Sequence, residues 1–328
     1  MTRRIDAFQQ RHPGVGFPLA VVYKFYDDQG AYLAALITFY GVIGLFPLLL
    51  LLSTGLGLVL SGDPELQRQV LDSALGQFPV IGQDLGRPER IGGGTGGLVI
   101  GIVGSLYGGL GVATAVQNAM NAAWSVPRNS RPNPFKARGI SVLLLATAGL
   151  GVLATTGVSA VSTAGGFGEQ LGSGTLRLMV LVVTGAFNVI IFTVAFRLAT
   201  ARPLRLGEVV PGAALAALVY LGLQVSGASY VGWIVDRSSA SSGVFALVLG
   251  LIAFVYVTAV AVVLCVEVNV VRTERLYPRA LLTPFTDSVD LTAGDRLAYT
   301  RQAEAQRLKG FEEVDVTFGP RPRDTDED

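Results

Sequence analysis

The chain has 328 residues, 51% of them hydrophobic and only 15% charged, with a net charge of +1. Soluble domains carry about 25% charged residues and nucleic-acid binders carry basic stripes, so neither class fits. One cysteine, Cys265, and one histidine, His12, exclude an intramolecular disulfide, a Cys or His metal cluster and a His-based catalytic triad.

In chain order, residues 1–31 read as a cytoplasmic N-terminal segment containing Arg3, Arg4, Arg11 and Lys24. No cleavable signal peptide is expected, because the first apolar run starts about thirty residues in and is too long for a signal h-region. Residues 17–26 suggest an interfacial helix anchored by Phe17, Tyr23, Phe25 and Tyr26. Charge-free runs then follow at 29–62, 91–127, 139–168, 178–196, 209–235 and 238–266. A membrane-crossing helix needs about 20 mostly apolar residues. Each run meets that length or comes within a residue or two of it. The expected spans are therefore roughly 32–60, 97–124, 139–162, 176–198, 209–231 and 244–267. The fold class is an all-α polytopic bundle of six transmembrane helices within a membrane domain at 32–271.

Between the first two spans, Asp63-Pro64-Glu65 supplies an N-cap, a first-turn proline and an acid near the positive helix end. Leu66, Val70, Leu71 and Leu75 follow at helical spacing, which predicts a short amphipathic helix in the outer loop. After the last span, residues 272–328 read as a cytoplasmic tail, polar from about Pro284 and largely disordered.

Orientation follows from positive charge in short loops. The second-to-third loop holds Arg128, Arg131, Lys136 and Arg138 with no acid, and the fourth-to-fifth holds Arg197, Arg202 and Arg205. The tail opens with Arg272, Arg275 and Arg279, whereas the intervening loops are balanced or poor in charge. Both termini are expected in the cytoplasm.

Polar groups inside the spans are costly and mark candidate sites. Gly97, Gly101, Ser105 and Gly109 recur every fourth residue of the second span and predict a close helix-packing seam. Asn118 and Asn121 near its end either hydrogen-bond across helices or line a cavity. Pro47 in the first span removes an amide donor and frees the Ile43 carbonyl, giving a kink or a hinge. Asn188 in span four and Gln224 in span five are candidates for interhelical hydrogen bonds or a cavity. Glu267 and Asn269 close span six. A carboxylate at a helix C-terminus needs a partner, for which Arg197, Arg202 and Arg138 are the candidates; the alternative is a proton- or ion-coupling acid. Glu208 reads as a first-turn acid of span five.

These segments resemble the YihY/BrkB membrane-protein family, once labelled ribonuclease BN-like. The residues carrying the resemblance are Ala34-Ala35-Leu36-Ile37-Thr38-Phe39-Tyr40 with Leu45-Phe46-Pro47-Leu48, then Ala119-Met120-Asn121-Ala122-Ala123-Trp124. Val210-Pro211-Gly212-Ala213 and Val266-Glu267-Val268-Asn269 complete the set. Cys265-Val266 stands where the family motif has Gly-Ala. The resemblance covers about 15–280 and implies six spans in a bacterial inner membrane. A nuclease is not expected, because phosphodiester hydrolysis wants clustered metal ligands or a His pair. The expectation is a non-enzymatic protein without cofactor or metal that transports or exports a small solute, an ion or a lipid-like molecule. The alternative is a non-transporting scaffold for envelope partners. The expected partners are the lipid bilayer and an unidentified solute or lipid, with a homo-oligomer left open and no nucleic acid.

Overall fold

The computed structural model describes residues 2–59, 94–164, 173–237 and 240–319, apart from 282, 284, 287 and 288. Among the described residues there is no strand, and nine α-helices appear. They are α1 (Thr2–Arg11), α2 (Pro13–Asp27), α3 (Gly30–Val59), α4 (Gly94–Ala123), α5 (Pro134–Ala164), α6 (Ser173–Ala199), α7 (Leu206–Arg237), α8 (Ala240–Glu274) and α9 (Ala293–Glu304). The outer-loop helix expected over 63–75 lies outside the described residues.

Among the described residues, five stretches are long and apolar enough to cross a membrane: Val99–Ala123, Pro134–Val152, Leu178–Ala199, Leu206–Gln224 and Val248–Glu274. The first expected span is represented by the shorter apolar stretch Gly30–Leu45 of α3. The side-chain distribution is the reverse of a soluble protein's. Ile100, Val182 and Leu218 are each more than 60% exposed, while the interior collects Ala34, Ala115, Ala119, Ala123, Ala213 and Ala217. Large apolar residues outside and small ones inside suit a bundle solvated by lipid, where small residues let backbones approach.

The helices α3 to α8 pack in sequence, and α8 returns to α3, closing a ring in which α4 also touches α6 and α8. The α3–α4 pair is the most extensive. A Cβ on Gly108 would lie 2.2 Å from the Gly44 Cα, and one on Gly104 would lie 2.6 Å from the Pro47 ring. The seam therefore runs through Gly104 and Gly108, not along the expected 97/101/105/109 stripe. Each four-residue step overshoots a helical turn by about 40°, so that stripe winds around α4. Gly109 ends against Leu145 of α5, and Ser105 turns its hydroxyl back to the Gly101 carbonyl. Gly101 is buried, and Gly97 lies in the first turn of α4. The α3 helix runs unbroken through Pro47, whose ring occupies the space left by Gly104.

Both terminal segments meet at one end of the ring. Gln9 of α1 donates to the Arg279 carbonyl, and the Leu281 amide donates to Asp6 Oδ1 at 2.8 Å. The expected interfacial helix is only half so: α2 packs on α8 with Ala20, Val21, Tyr23 and Lys24 buried. Tyr26 stays 61% exposed, whereas Phe17 stacks edge-on with Tyr277 at 5.4 Å.

The tail departs from the expected disorder. Thr292 and Asp295 form a reciprocal capping box that starts α9. The fully buried Arg279 pairs with both Asp295 and Asp27, the latter at 3.0 Å. Backbone amides of Arg128 and Asn129 then donate to the carbonyls of Ala305 and Arg307 at 3.1 Å each. Glu274 accepts from Arg202 and also pairs with Arg301, tying α8, the α6–α7 turn and α9 together.

Candidate functional site: a buried charge cluster beside an open groove

The densest polar grouping sits where α2, α4 and α8 converge. Lys24, one turn from the end of α2, points inward with its side chain 3% exposed. Its ammonium pairs with Asp28, donates to the Ala123 carbonyl at 3.1 Å, and lies 4.0 Å from Glu267 Oε2. Glu267 is fully buried in α8 beside the Asp28 carboxyl, and among the described residues its oxygens accept no hydrogen bond. One lysine thus serves two buried acids. Burial depresses the Lys24 ammonium, but Glu267, Asp28 and Asp27 outweigh it and hold its pKa above the ordinary lysine value. Burial likewise pushes the Asp28 carboxyl up, against the pull of Lys24. Asp27 is raised by burial despite its Arg279 partner.

The partner of Glu267 therefore differs from the three arginines expected. Arg202 is committed to Glu274 and lies over the Trp124 ring at 5.2 Å, and Arg197 donates to the Leu204 carbonyl at 3.1 Å. Arg138 is exposed on α5. Lys24 was legible only as one of several N-terminal cations. Its identity as the partner depends on α2 folding back onto α8, which no local pattern announces.

Asn269, two residues on, has a backbone role. Pro211 in the first turns of α7 has no amide and leaves the Gly207 carbonyl without its helical donor; Arg272 donates to it at 2.9 Å. One residue further, the Gly212 amide donates to Asn269 Oδ1 at 2.7 Å, and Asn269 Nδ2 donates to the Val209 carbonyl at 2.9 Å. Glycine is required at 212, because a Cβ there would lie 2.2 Å from the Cys265 carbonyl oxygen. Close packing at this crossing is thus supplied by Gly212, with Cys265-Val266 on the facing helix. Glu208 caps the start of α7, its carboxylate accepting from the Arg205 amide at 2.7 Å.

Asn121 and Asn118 do not share one cavity. Asn121 is buried and accepts from the Ala201 amide at 2.8 Å, fastening α4 to the α6–α7 turn. Asn118 is exposed. Beside it, Gln117 donates to the Ser141 hydroxyl at 2.8 Å and joins α4 to α5. Asn188 is buried in α6 without a hydrogen-bond partner among the described residues, and Gln224 donates to the Tyr220 hydroxyl at 3.1 Å within α7. Neither approaches the cluster around Glu267.

Asn118 instead lines an open groove of about 520 Å³ between α3, α4 and the start of α5. Its apolar wall includes Leu36, Tyr40, Tyr107 and Leu110, and its polar end is formed by Asn118 and Arg138. Among the described residues, no group of His, Cys, Asp and Glu side chains is placed to hold a metal ion.

Long apolar helices with small residues inside, large ones outside and a buried charge cluster at one end define a multi-pass α-helical membrane protein. The sequence model described as Virulence factor BrkB matches residues 21–287, and the chain belongs to the BrkB (YihY/BrkB) family. No curated protein and no solved structure matches it.

Proposed function

We propose that this protein is a bacterial cytoplasmic-membrane transporter, not an enzyme, that moves a small solute, an ion or a lipid-like molecule. The observation that carries this reading is Glu267. A fully buried carboxyl that shares one lysine with Asp28 and accepts no hydrogen bond from the described residues, on a helix long and apolar enough to cross a bilayer, is expensive to keep. Intramembrane acids of that kind serve ion or proton pathways. In this reading Glu267 exchanges a proton or cation against Lys24, and its neighbour Asp28 shares the load. The two terminal segments meeting at one end favour an even number of crossings. With α3 as the first, that number is six, and the basic loops put both ends in the cytoplasm.

Reconstitution into liposomes tests the reading. Flux of fluorescent lipid or small solutes, driven by a proton or sodium gradient, should be present for the wild type and lost in Glu267→Gln. If folded protein carries no substrate class under either gradient, transport fails and the scaffold alternative takes its place. Topology is read separately by labelling: with Cys265→Ser as background, a cysteine at Asn129 should resist a membrane-impermeant reagent applied from outside.

A further inference from the structure

The open groove between α3, α4 and α5 is not used by the charge cluster, and its lining has the two-part chemistry of an amphiphile site. On α4, Tyr107, Leu110, Thr114 and Asn118 fall on one face at three- and four-residue steps, passing from apolar to polar towards the helix end. Across from them Tyr40 stacks edge-on with Tyr107 at 6.3 Å between ring centroids. Gly111 makes the room: a Cβ there would strike the Tyr40 ring at 2.2 Å. Tyr107 is 63% exposed and Leu36 39% exposed, so the apolar wall opens sideways onto the surface where lipid chains lie.

Arg138 closes the polar end from the first turns of α5. It makes no ion pair or hydrogen bond with the described residues, unlike Arg202, Arg279 and Arg301, each of which is paired. The whole segment from Ser125 to Gly139 contains four cations and no acid. A guanidinium left unpaired at the end of an open apolar groove complements a negative headgroup, and Arg matches phosphate oxygens with two parallel donors.

We propose that this groove is a binding site for an anionic phospholipid, its phosphate held by Arg138 and Asn118 and one acyl chain lying along Tyr107, Tyr40 and Leu36. The site is an equilibrium binding site and does not depend on transport.

Native mass spectrometry of the full chain tests it, with palmitoyl-oleoyl phosphatidylglycerol, phosphatidylcholine of the same chains, and glycerol phosphate as probes. Both lipids carry the phosphodiester, but the choline cation of phosphatidylcholine opposes the guanidinium, so a preference of about tenfold for phosphatidylglycerol is expected. Arg138→Gln should erase that preference, while Lys136→Gln, a nearby cation outside the groove, should keep it. Thr114→Phe, which fills the groove, should weaken both lipids. The proposal is overturned if Arg138→Gln keeps the preference. It is equally overturned if Lys136→Gln abolishes it as fully, which would mean diffuse attraction to the basic loop. Displacement of lipid by glycerol phosphate at comparable concentration would assign the site to a soluble phosphate and overturn it too. Because no flux is measured, loss of transport in liposomes leaves this result standing, and the converse holds.

Discussion

Asn269 grips the backbone of another helix: its side-chain amide accepts from the Gly212 N–H and donates to the Val209 carbonyl, 57 and 60 residues away in sequence. The contact falls next to Pro211, where Gly212 lets α8 approach closely. Removing the amide takes away two buried side-chain-to-backbone hydrogen bonds, each worth about 0.5–1.5 kcal/mol net. Asn269→Ala should therefore lower the thermal midpoint in detergent clearly, and Asn269→Asp should not restore it, because a carboxylate has no N–H to donate to the Val209 carbonyl. Gly212→Ala should be at least as damaging, since the new Cβ would displace the Cys265 carbonyl. A midpoint unchanged in Asn269→Ala would mean the cross-link contributes nothing.

The Lys24–Glu267 pair predicts an asymmetric outcome. Breaking a buried pair from one side leaves an uncompensated charge and costs about 3–5 kcal/mol, whereas removing both partners is far cheaper. Lys24→Met should be severely destabilising because it abandons Asp28 as well as Glu267. Glu267→Gln should be mild, and adding it to Lys24→Met should recover part of the loss. Unfolding midpoints for the four proteins of this double-mutant cycle measure the coupling directly. Strict additivity would show that the lysine does not act on Glu267.

Asp28 gives the cluster a pH dependence of definite sign. Burial raises its pKa above the ordinary value of 3.8, so the folded protein binds a proton that the unfolded chain releases more readily. Stability from this group is full below 3.8 and is lost as pH climbs through the folded value. Lys24, also raised, loses its contribution only on the alkaline side of 10.5. Acidification from neutral pH should then stabilise the wild type relative to Asp28→Asn. If the two proteins' midpoints track in parallel across that range, Asp28 is not the titrating group.

Which features were legible in the sequence follows from the range of the forces involved. The long charge-free runs and the capping role of Glu208 are local, and the helices carry both. Val210-Pro211-Gly212-Ala213 and Val266-Glu267-Val268-Asn269 are conspicuous as separate motifs. That they lock together was hidden, because their meeting depends on how α7 and α8 cross. Asn118 and Asn121 looked equivalent three residues apart. The α6–α7 turn covers one and the α3 side leaves the other open, so only tertiary packing separates them. The helix within the tail is hidden for the same reason. The α9 segment has little apolar surface, and its anchor is Arg279 reaching Asp27, 252 residues earlier in the chain.

Two helix ends at the clustered end of the bundle finish in Schellman geometry without the glycine that this geometry favours. After α4, Ser125 adopts φ 48°, and the Val126 amide returns to the Asn121 carbonyl at 2.8 Å. After α8, Arg275 adopts φ 54°, and the Leu276 amide returns to the Val271 carbonyl at 3.1 Å. A side chain in the left-handed region costs about 1 kcal/mol that glycine does not incur. Ser125→Gly and Arg275→Gly should each raise the thermal midpoint, and the double variant should add the two gains, since the sites share no contact in the ladder. Ser125→Val should do the opposite, because a β-branched residue is the least tolerant of positive φ. A lower midpoint in either glycine variant would mean that the side chain lost there, rather than the backbone angle, decides the stability of that helix end.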